Sequence, residues 1–390
     1  MDRKELGIYV HIPFCVRKCA YCDFLSFPSD DRTQRLYFQA LNEEIASFPH
    51  AGEYEAVSVY YGGGTPSLPD PAQISKTMDQ IRRTFVLQKD AEATIECNPG
   101  TLDQSRLEAY RAAGFNRLSI GLQSADNGLL RTLGRIHTFE MFREEFQAAR
   151  DAGFGNINVD LMYGLPGQSV EAFEKTLGAV WSLAPEHISA YSLIIEEGTP
   201  FWERYHEDDL AKRRGEKPLF LPDEDAEDAM EQRLKQALRK IGIYRYEISN
   251  YARPGRESRH NTGYWIRREY AGFGLGASGQ IGKARYRNTS DLAAYLKNPG
   301  IREEESLLTV RDEIAETMIL GLRMTKGVDL QRFEKQFGIR AQDMFAEEIG
   351  QFVRSGLLEV SGSFLRLTER GFDVSNLVMC SFINDTEGQP

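Results

Sequence analysis

Three cysteines within eight residues, Cys15-x-x-x-Cys19-x-x-Cys22, are the part of this sequence best suited to chemistry. Soft thiolates at this density bind either zinc or an iron–sulfur cluster. A structural zinc closes its shell with four ligands, and here the fourth would be His11, Cys97 or a distant residue. Three thiolates around a four-iron (4Fe-4S) cluster instead leave one iron uncovered. The amino and carboxylate groups of S-adenosylmethionine can chelate such an iron, and one-electron reduction then breaks a carbon–sulfur bond and releases a radical. The chain has five cysteines, three of them in this cluster, which fits a reducing cytoplasm rather than a disulfide framework.

Further polar and glycine residues recur at regular distances downstream. Gly62-Gly63-Gly64 removes three successive side chains and lets backbone amides and carbonyls approach a ligand, although alone it reads as a tight turn. Arg135 could pair with a methionine carboxylate, and Glu96, Gln123 and Asp160 could hold ribose hydroxyls; singly, each reads as a solvated loop residue.

What positions them is an alternation of short β-rich runs (7–13, 56–61, 92–98, 117–122, 156–163 and 187–193) with segments of helical apolar spacing, such as 35–48, 74–85 and 139–152. Repeated βα units predict a parallel sheet with right-handed crossovers. Six units are too few to close an eight-stranded barrel, so the expected α/β fold is an open, partial β/α barrel. The chemistry-bearing residues fall just after the runs, at the strand ends that build the sites of β/α barrels.

The remainder is ordinary for a globular chain of 390 residues, 41% hydrophobic and 27% charged. A net charge of −11 argues against broad contact with nucleic acid or an anionic membrane. No apolar run reaches bilayer length, and Met-Asp-Arg-Lys-Glu-Leu is not followed by the apolar stretch of a signal peptide. Residues 1–235 are expected to form the barrel, 236–300 an extension, and 301–390 a small cap. In the cap, helical patterns at 312–325, 330–337 and 345–355 precede a hairpin over 357–367, resembling a winged helix. Its 10 basic and 16 acidic residues argue against a nucleic-acid module. Gly274-x-Gly276-x-x-Gly279 matches a dinucleotide-binding fingerprint, but no convincing helix follows, and the match is rejected.

Tyr9-Val-His11-Ile-Pro13-Phe14-Cys15, residues 62–66, Gln123, Arg135 and Asp160-Leu-Met-Tyr-Gly-Leu-Pro together resemble the oxygen-independent coproporphyrinogen III oxidase family of radical S-adenosylmethionine proteins. The resemblance implies that Tyr9, Tyr21, Gly63, Gly64, Thr65, Glu96, Gln123, Arg135, Asp160 and Ile194 line the S-adenosylmethionine site. It also separates two branches. The oxidase carries a further cysteine two residues beyond the third, where this chain has Phe24, and a longer N-terminal arm. The other branch, of heme carriers, is marked by His-Asn-x-x-Tyr-Trp, present here as His260-Asn261-Thr262-Gly263-Tyr264-Trp265. Imidazole is a standard heme ligand and aromatic rings stack on a macrocycle. Residues 251–270 also hold five arginines against two glutamates, suited to propionates. Taken alone, His260 could equally be a hydrogen-bonded structural histidine.

The expectation is a heme chaperone with a 4Fe-4S cluster, S-adenosylmethionine and heme, lacking oxidase activity. The alternatives are the oxidase itself or a radical enzyme with an unrelated substrate. Expected partners are heme and heme-requiring enzymes, including membrane-bound respiratory ones met transiently by a cytoplasmic protein. Nucleic acid is not expected, and a homodimer is left open.

Overall fold

The structure, a computed structural model, describes residues 3–383. Strands β1 (Lys4–Ile12), β2 (Tyr54–Gly63), β3 (Val86–Cys97), β4 (Arg117–Gln123), β5 (Ile157–Tyr163) and β6 (His187–Ser192) pair side by side, all parallel. Helices α1 (Asp31–Ala46), α2 (Pro71–Thr84), α3 (Gln104–Ala112), α4 (Asn127–Thr132), α5 (Phe139–Asp151) and α6 (Val170–Trp181) form the crossovers. Local chemistry explains where they start. Asp30, Asp70, Asp103, Asp126, Thr138 and Ser169 each accept a hydrogen bond from a first-turn amide, and Pro71 pre-sets the first residue of α2.

Two surface helices follow, α7 (Pro200–Arg213) and α8 (Glu224–Lys240), then β7 (Tyr244–Arg245), β8 (Asn250–Ala252) and the short α9 (Arg259–Trp265). Strand β9 (Tyr270–Phe273) adds to the far side of β1, parallel to it. Beyond it lie β10 (Ser278–Ile281) and β11 (Ala284–Asn288); α10 (Leu292–Lys297) leads to the edge strand β12 (Arg302–Leu307). The twelve strands run β12-β11-β10-β9-β1-β2-β3-β4-β5-β6-β8-β7, and the two end strands do not meet. The sheet is therefore an open, partial barrel, as the count of βα units predicts. The antiparallel extension β9–β12 is not foreseen in the sequence, because its strands are short, polar and interrupted by glycine.

Alternation along the strands sorts the side chains. Ile8, Val10, Val59, Ile95, Leu118, Ile120, Val159 and Ile188 pack under the helices in one continuous core. The intervening residues face the barrel lumen and are polar: Ser58 and Tyr60, Glu92 and Glu96, Arg117 and Ser119, Asn158 and Asp160, His187 and Ser189. A second core, around Met318, Leu322, Phe333, Phe345 and Leu365, belongs to the C-terminal segment. That segment comprises α11 (Val310–Leu322), β13 (Val328–Asp329), α12 (Leu330–Phe337), α13 (Ala341–Met344), α14 (Ala346–Arg354) and the hairpin β14 (Leu358–Ser361) with β15 (Phe364–Leu367).

The glycine stretch at 274–279 joins β9 to β10 as a strand–turn–strand, so it has no helix N-terminus for a phosphate. Gly274 lies at φ 100°, and a Cβ there would sit 2.7 Å from the His11 carbonyl oxygen. Buried Glu44 holds this turn, accepting from Gly274 N (2.8 Å), Asn288 Nδ2 (2.7 Å) and the Tyr295 hydroxyl (2.6 Å). Glu44→Ala leaves three buried donors unpaired and is expected to destabilise the barrel by about 3 kcal/mol, measured by urea unfolding. Glu44→Gln keeps part of the network and should cost less.

Candidate functional site

The cysteine loop leaves β1 and is strapped at both ends by backbone bonds. Cys15 N donates to Phe27 O (3.1 Å) and Phe27 N to Pro13 O (2.8 Å). Ala20 N donates to Leu133 O (3.0 Å), and Phe201 N donates to Ala20 O (2.9 Å), tying the loop to the ends of α4 and α7. The glycine loop after β2 supports it from beneath. A Cβ on Gly64 would lie 2.8 Å from the Phe14 carbonyl oxygen and 3.0 Å from Cys15 Sγ, so only glycine lets the two loops pack this closely. Thr65 Oγ1 lies 3.4 Å from Cys15 Sγ and accepts from Asn98 Nδ2 (2.7 Å).

Cys15, Cys19 and Cys22 line the mouth of a cavity of about 380 Å³ that runs from this loop down into the lumen. Among the described residues no three Cys, His, Asp or Glu side chains gather closely enough to share one metal ion. Three soft thiolates on one loop beside a cavity are, by their chemistry, a donor set that suits an iron–sulfur cluster.

The strand ends deliver the other expected residues to the same cavity: Tyr21, Gly63, Gly64, Thr65, Glu96, Gln123, Arg135, Asp160 and Ile194 all line it. Arg135 is fixed by Asn98 Oδ1 (2.7 Å) and the Gly121 carbonyl (2.6 Å), with Nη1 3.7 Å from Cys19 Sγ. Glu96 accepts from the Tyr60 hydroxyl (2.7 Å) and Gly63 N (3.2 Å). Burial outweighs these bonds and pushes its carboxyl up to about 7. Asp160, likewise raised by burial, accepts from Asn158 Nδ2 (2.7 Å) and the Ser119 hydroxyl (3.4 Å). Gln123 ends β4 at φ 69°, a left-handed conformation that a non-glycine residue seldom adopts. Phe24 stands exposed at the mouth.

Tyr9 lies outside this cavity. Its hydroxyl bonds His11 Nδ1 (3.0 Å), and its ring stacks on Tyr60.

The histidine motif occupies α9, which packs against the lumen. Glu92 seats the helix, accepting from Arg259 N (3.0 Å) and His260 N (3.1 Å). The buried imidazole of His260 stacks on Tyr60 with ring centroids 5.0 Å apart. It bonds the Ser58 hydroxyl through Nδ1 (3.0 Å) and the Tyr264 hydroxyl through Nε2 (2.8 Å). Burial, with Arg268 and Arg117 nearby, lowers His260 to about 3. Asn261 lines the cysteine cavity from below. Trp265 is half-buried beneath the Arg323 guanidinium, 4.3 Å from its ring centroid.

Residues that the motifs do not announce join these parts. Asn98 links Thr65 to Arg135. Tyr60 touches both Glu96 and His260. Arg117 projects into the lumen almost fully buried, its Nε without a partner among the described residues. Their signal in the sequence is the polar alternation along β2–β6, unusual in a parallel sheet covered by helices.

A family model for the radical SAM superfamily matches residues 9–180, and one for the HemN C-terminal domain matches 308–374. The heme chaperone HemW of Lactococcus lactis is 35% identical, covering 99% of both chains. That of Bacillus subtilis is 36% identical over 97% of this chain and 99% of its own. Among solved structures, the coproporphyrinogen III oxidase HemN from Escherichia coli superposes with a TM-score of 0.84 at 26% identity, covering 98% of this chain and 91% of that one.

Two outcomes follow from the geometry. Gly64→Ala forces the cysteine loop outward; overpacking of this kind costs about 1–3 kcal/mol, and iron bound after anaerobic reconstitution should fall while the far-UV circular dichroism stays. Burial holds His260 at about 3, His137 at about 4 and His187 well below the ordinary 6.5. Unfolded histidines bind protons below about 6.5 while these native ones do not, so stability is full above that pH and is lost as pH falls towards 4. Urea midpoints measured between pH 7 and pH 5 should decline, and His260→Gln should flatten the decline.

Proposed function

Because the chain belongs to the heme chaperone HemW family, with a radical SAM region, we propose that it binds a 4Fe-4S cluster, S-adenosylmethionine and heme, and hands the heme to enzymes that need it. The observation that carries this reading is the presence, on one barrel, of a three-cysteine cavity at the mouth and an intact His-Asn-x-x-Tyr-Trp helix beneath it.

In this reading Cys15, Cys19 and Cys22 hold the cluster. The fixed guanidinium of Arg135 receives the methionine carboxylate, and Glu96, Asp160 and Gln123 take the ribose hydroxyls. Gly63, Gly64 and Thr65 supply backbone close to the ligand, and Tyr21 and Ile194 cover it. When bound, the cluster and cofactor can supply one-electron reduction and a carbon-centred radical. His260 is neutral at physiological pH and so carries the lone pair an iron requires. His260 would hold a heme iron through a ring nitrogen; in this structure its Nε2 bonds the Tyr264 hydroxyl (2.8 Å), a contact worth about 0.5–1.5 kcal/mol. Phe24 supports the carrier over the oxidase, since a phenyl ring replaces the thiol that the oxidase has there.

The barrel is assigned to residues 1–235, the motif-bearing extension to 236–300 and a capping domain to 301–390, of which the first strand, β12, still pairs with the extension. No helix among the described residues is long and apolar enough to cross a membrane. The reading is of a cytoplasmic protein that meets its acceptors, respiratory enzymes included, at the membrane surface, alone or as a homodimer.

Hemin added to cluster-loaded protein should give a Soret band typical of ligated heme, and His260→Ala should shift or weaken it. Coproporphyrinogen III incubated with this protein, S-adenosylmethionine and a reductant should stay unchanged. Catalytic formation of vinyl-bearing product would replace the carrier by the oxidase.

A further inference from the structure

Arg117, the first residue of β4, buries its guanidinium in the lumen and is only 2% exposed. Among the described residues it forms no ion pair and no side-chain hydrogen bond, and its Nε is shut off from solvent without a partner. The polar groups around it are committed to one another. Asn158 donates to the Ser119 hydroxyl (2.8 Å) and Asp160 (2.7 Å) and accepts from the Ser189 hydroxyl (3.2 Å). Glu96 takes the Tyr60 hydroxyl and Gly63 N, and Glu92 takes the amides of Arg259 and His260. A buried cation without a paired anion is costly. We infer that Arg117 seats a small monocarboxylate on the floor of the cysteine-lined cavity, a binding site separate from the one assigned to S-adenosylmethionine at the mouth.

The cavity gives the anion its route and its second donor. It runs from Cys15, Cys19 and Cys22 at the mouth to Arg117 and Asn261 in the lumen, so the guanidinium is reached from outside without opening the barrel. The Asn261 side-chain amide likewise has no partner among the described residues, while its backbone amide is fixed by the Ser258 hydroxyl (3.2 Å). The charge of Arg117 helps lower the neighbouring His260, so guanidinium and amide share one region of the lumen. A planar guanidinium fork with one amide donor beside it matches the two oxygens of a carboxylate.

The surrounding charge limits the ligand to a monoanion. Arg117 moderates the rise of both Glu96 and Asp160, so an anion on it also feels these carboxyls. Glu96, pushed up to about 7, is only partly ionised near neutral pH, and Asp160 is raised as well. One added negative charge is balanced by the guanidinium; the second charge of a sulfate or a phosphate would face the carboxylates unbalanced. The inference makes no use of the heme reading, and it uses the S-adenosylmethionine reading only to say which part of the cavity is already assigned.

The test is carbon-13 line broadening of labelled formate and acetate by cluster-loaded, S-adenosylmethionine-saturated protein at pH 7, with chloride holding the ionic strength constant. The wild type should broaden both lines at millimolar concentration, and unlabelled formate should reverse the effect while sulfate should not. Arg117→Met should remove the broadening, and Arg117→Lys, which keeps the charge but not the fork, should weaken it about tenfold. In chloride alone Arg117→Met should unfold at no lower a temperature than the wild type, because it replaces an unpaired buried cation with an apolar chain of similar length. No broadening by the wild type, or equal broadening by Arg117→Met, would overturn the site. A marked loss of stability in Arg117→Met would do the same, since it would show the guanidinium to be satisfied within the chain. Broadening that vanishes when S-adenosylmethionine is added would assign Arg117 to the cofactor's own carboxylate and overturn the separate floor. Displacement by sulfate as effective as by formate would overturn the monocarboxylate class.

Discussion

A barrel whose lumen is lined by polar side chains must satisfy them, because a buried donor or acceptor left unpaired costs more than its hydrogen bond returns. The rest of this structure depends on how that demand is met. Five strands, β2 to β6, turn Ser58, Tyr60, Glu92, Glu96, Arg117, Asn158, Asp160, His187 and Ser189 towards one another. Lateral bonds settle some of them: Asn158 bridges Ser119, Asp160 and His187, and His187 reaches the Tyr246 hydroxyl. Glu92 and Ser58 are settled by α9, whose amides and histidine enter the lumen from outside the strand series. The helix that carries the histidine motif is therefore also the element that satisfies Glu92 and Ser58 in the barrel lumen.

This arrangement joins the two ends of the molecule physically. Strand β3 offers Glu96 to the glycine loop at the mouth and, four residues earlier, Glu92 to the N-terminus of α9. Tyr60 donates to Glu96 and lies over His260. Arg117 stands among these groups, moderating the rise of Glu96 and Asp160 and further lowering His260 and His187. The cysteine cavity and the histidine helix thus belong to one electrostatic environment.

The sequence displays the mouth of the barrel well and its lumen poorly, for a physical reason. Residues at strand ends announce themselves by type, as with Cys15-x-x-x-Cys19-x-x-Cys22, Gly63-Gly64 and the polar residues Glu96, Gln123, Arg135 and Asp160; all of these reach one cavity. Helix starts are equally legible, because Asp, Ser or Thr caps them. Lumen residues such as Glu92, Arg117 and Asn158 owe their roles to long-range neighbours: Glu92 meets residues more than 160 positions away. No local spacing encodes that. Tyr9 shows the same limit, since a family motif places it beside the cofactor while its side chain faces His11 and Tyr60. The short strands β9–β12 escape notice because they are four to six residues long and the outermost, β12, is exposed throughout, which leaves no apolar alternation to read.

In the proposed function one barrel serves S-adenosylmethionine at its mouth and heme at the α9 side, at separate places. Calorimetric titration of hemin into cluster-loaded protein, repeated at rising S-adenosylmethionine concentrations, tests it most directly. The account predicts one heme per chain at every cofactor concentration, with both ligands bound together. Progressive loss of heme affinity in proportion to cofactor concentration, the mark of competition for one site, would place the macrocycle at the mouth and contradict it.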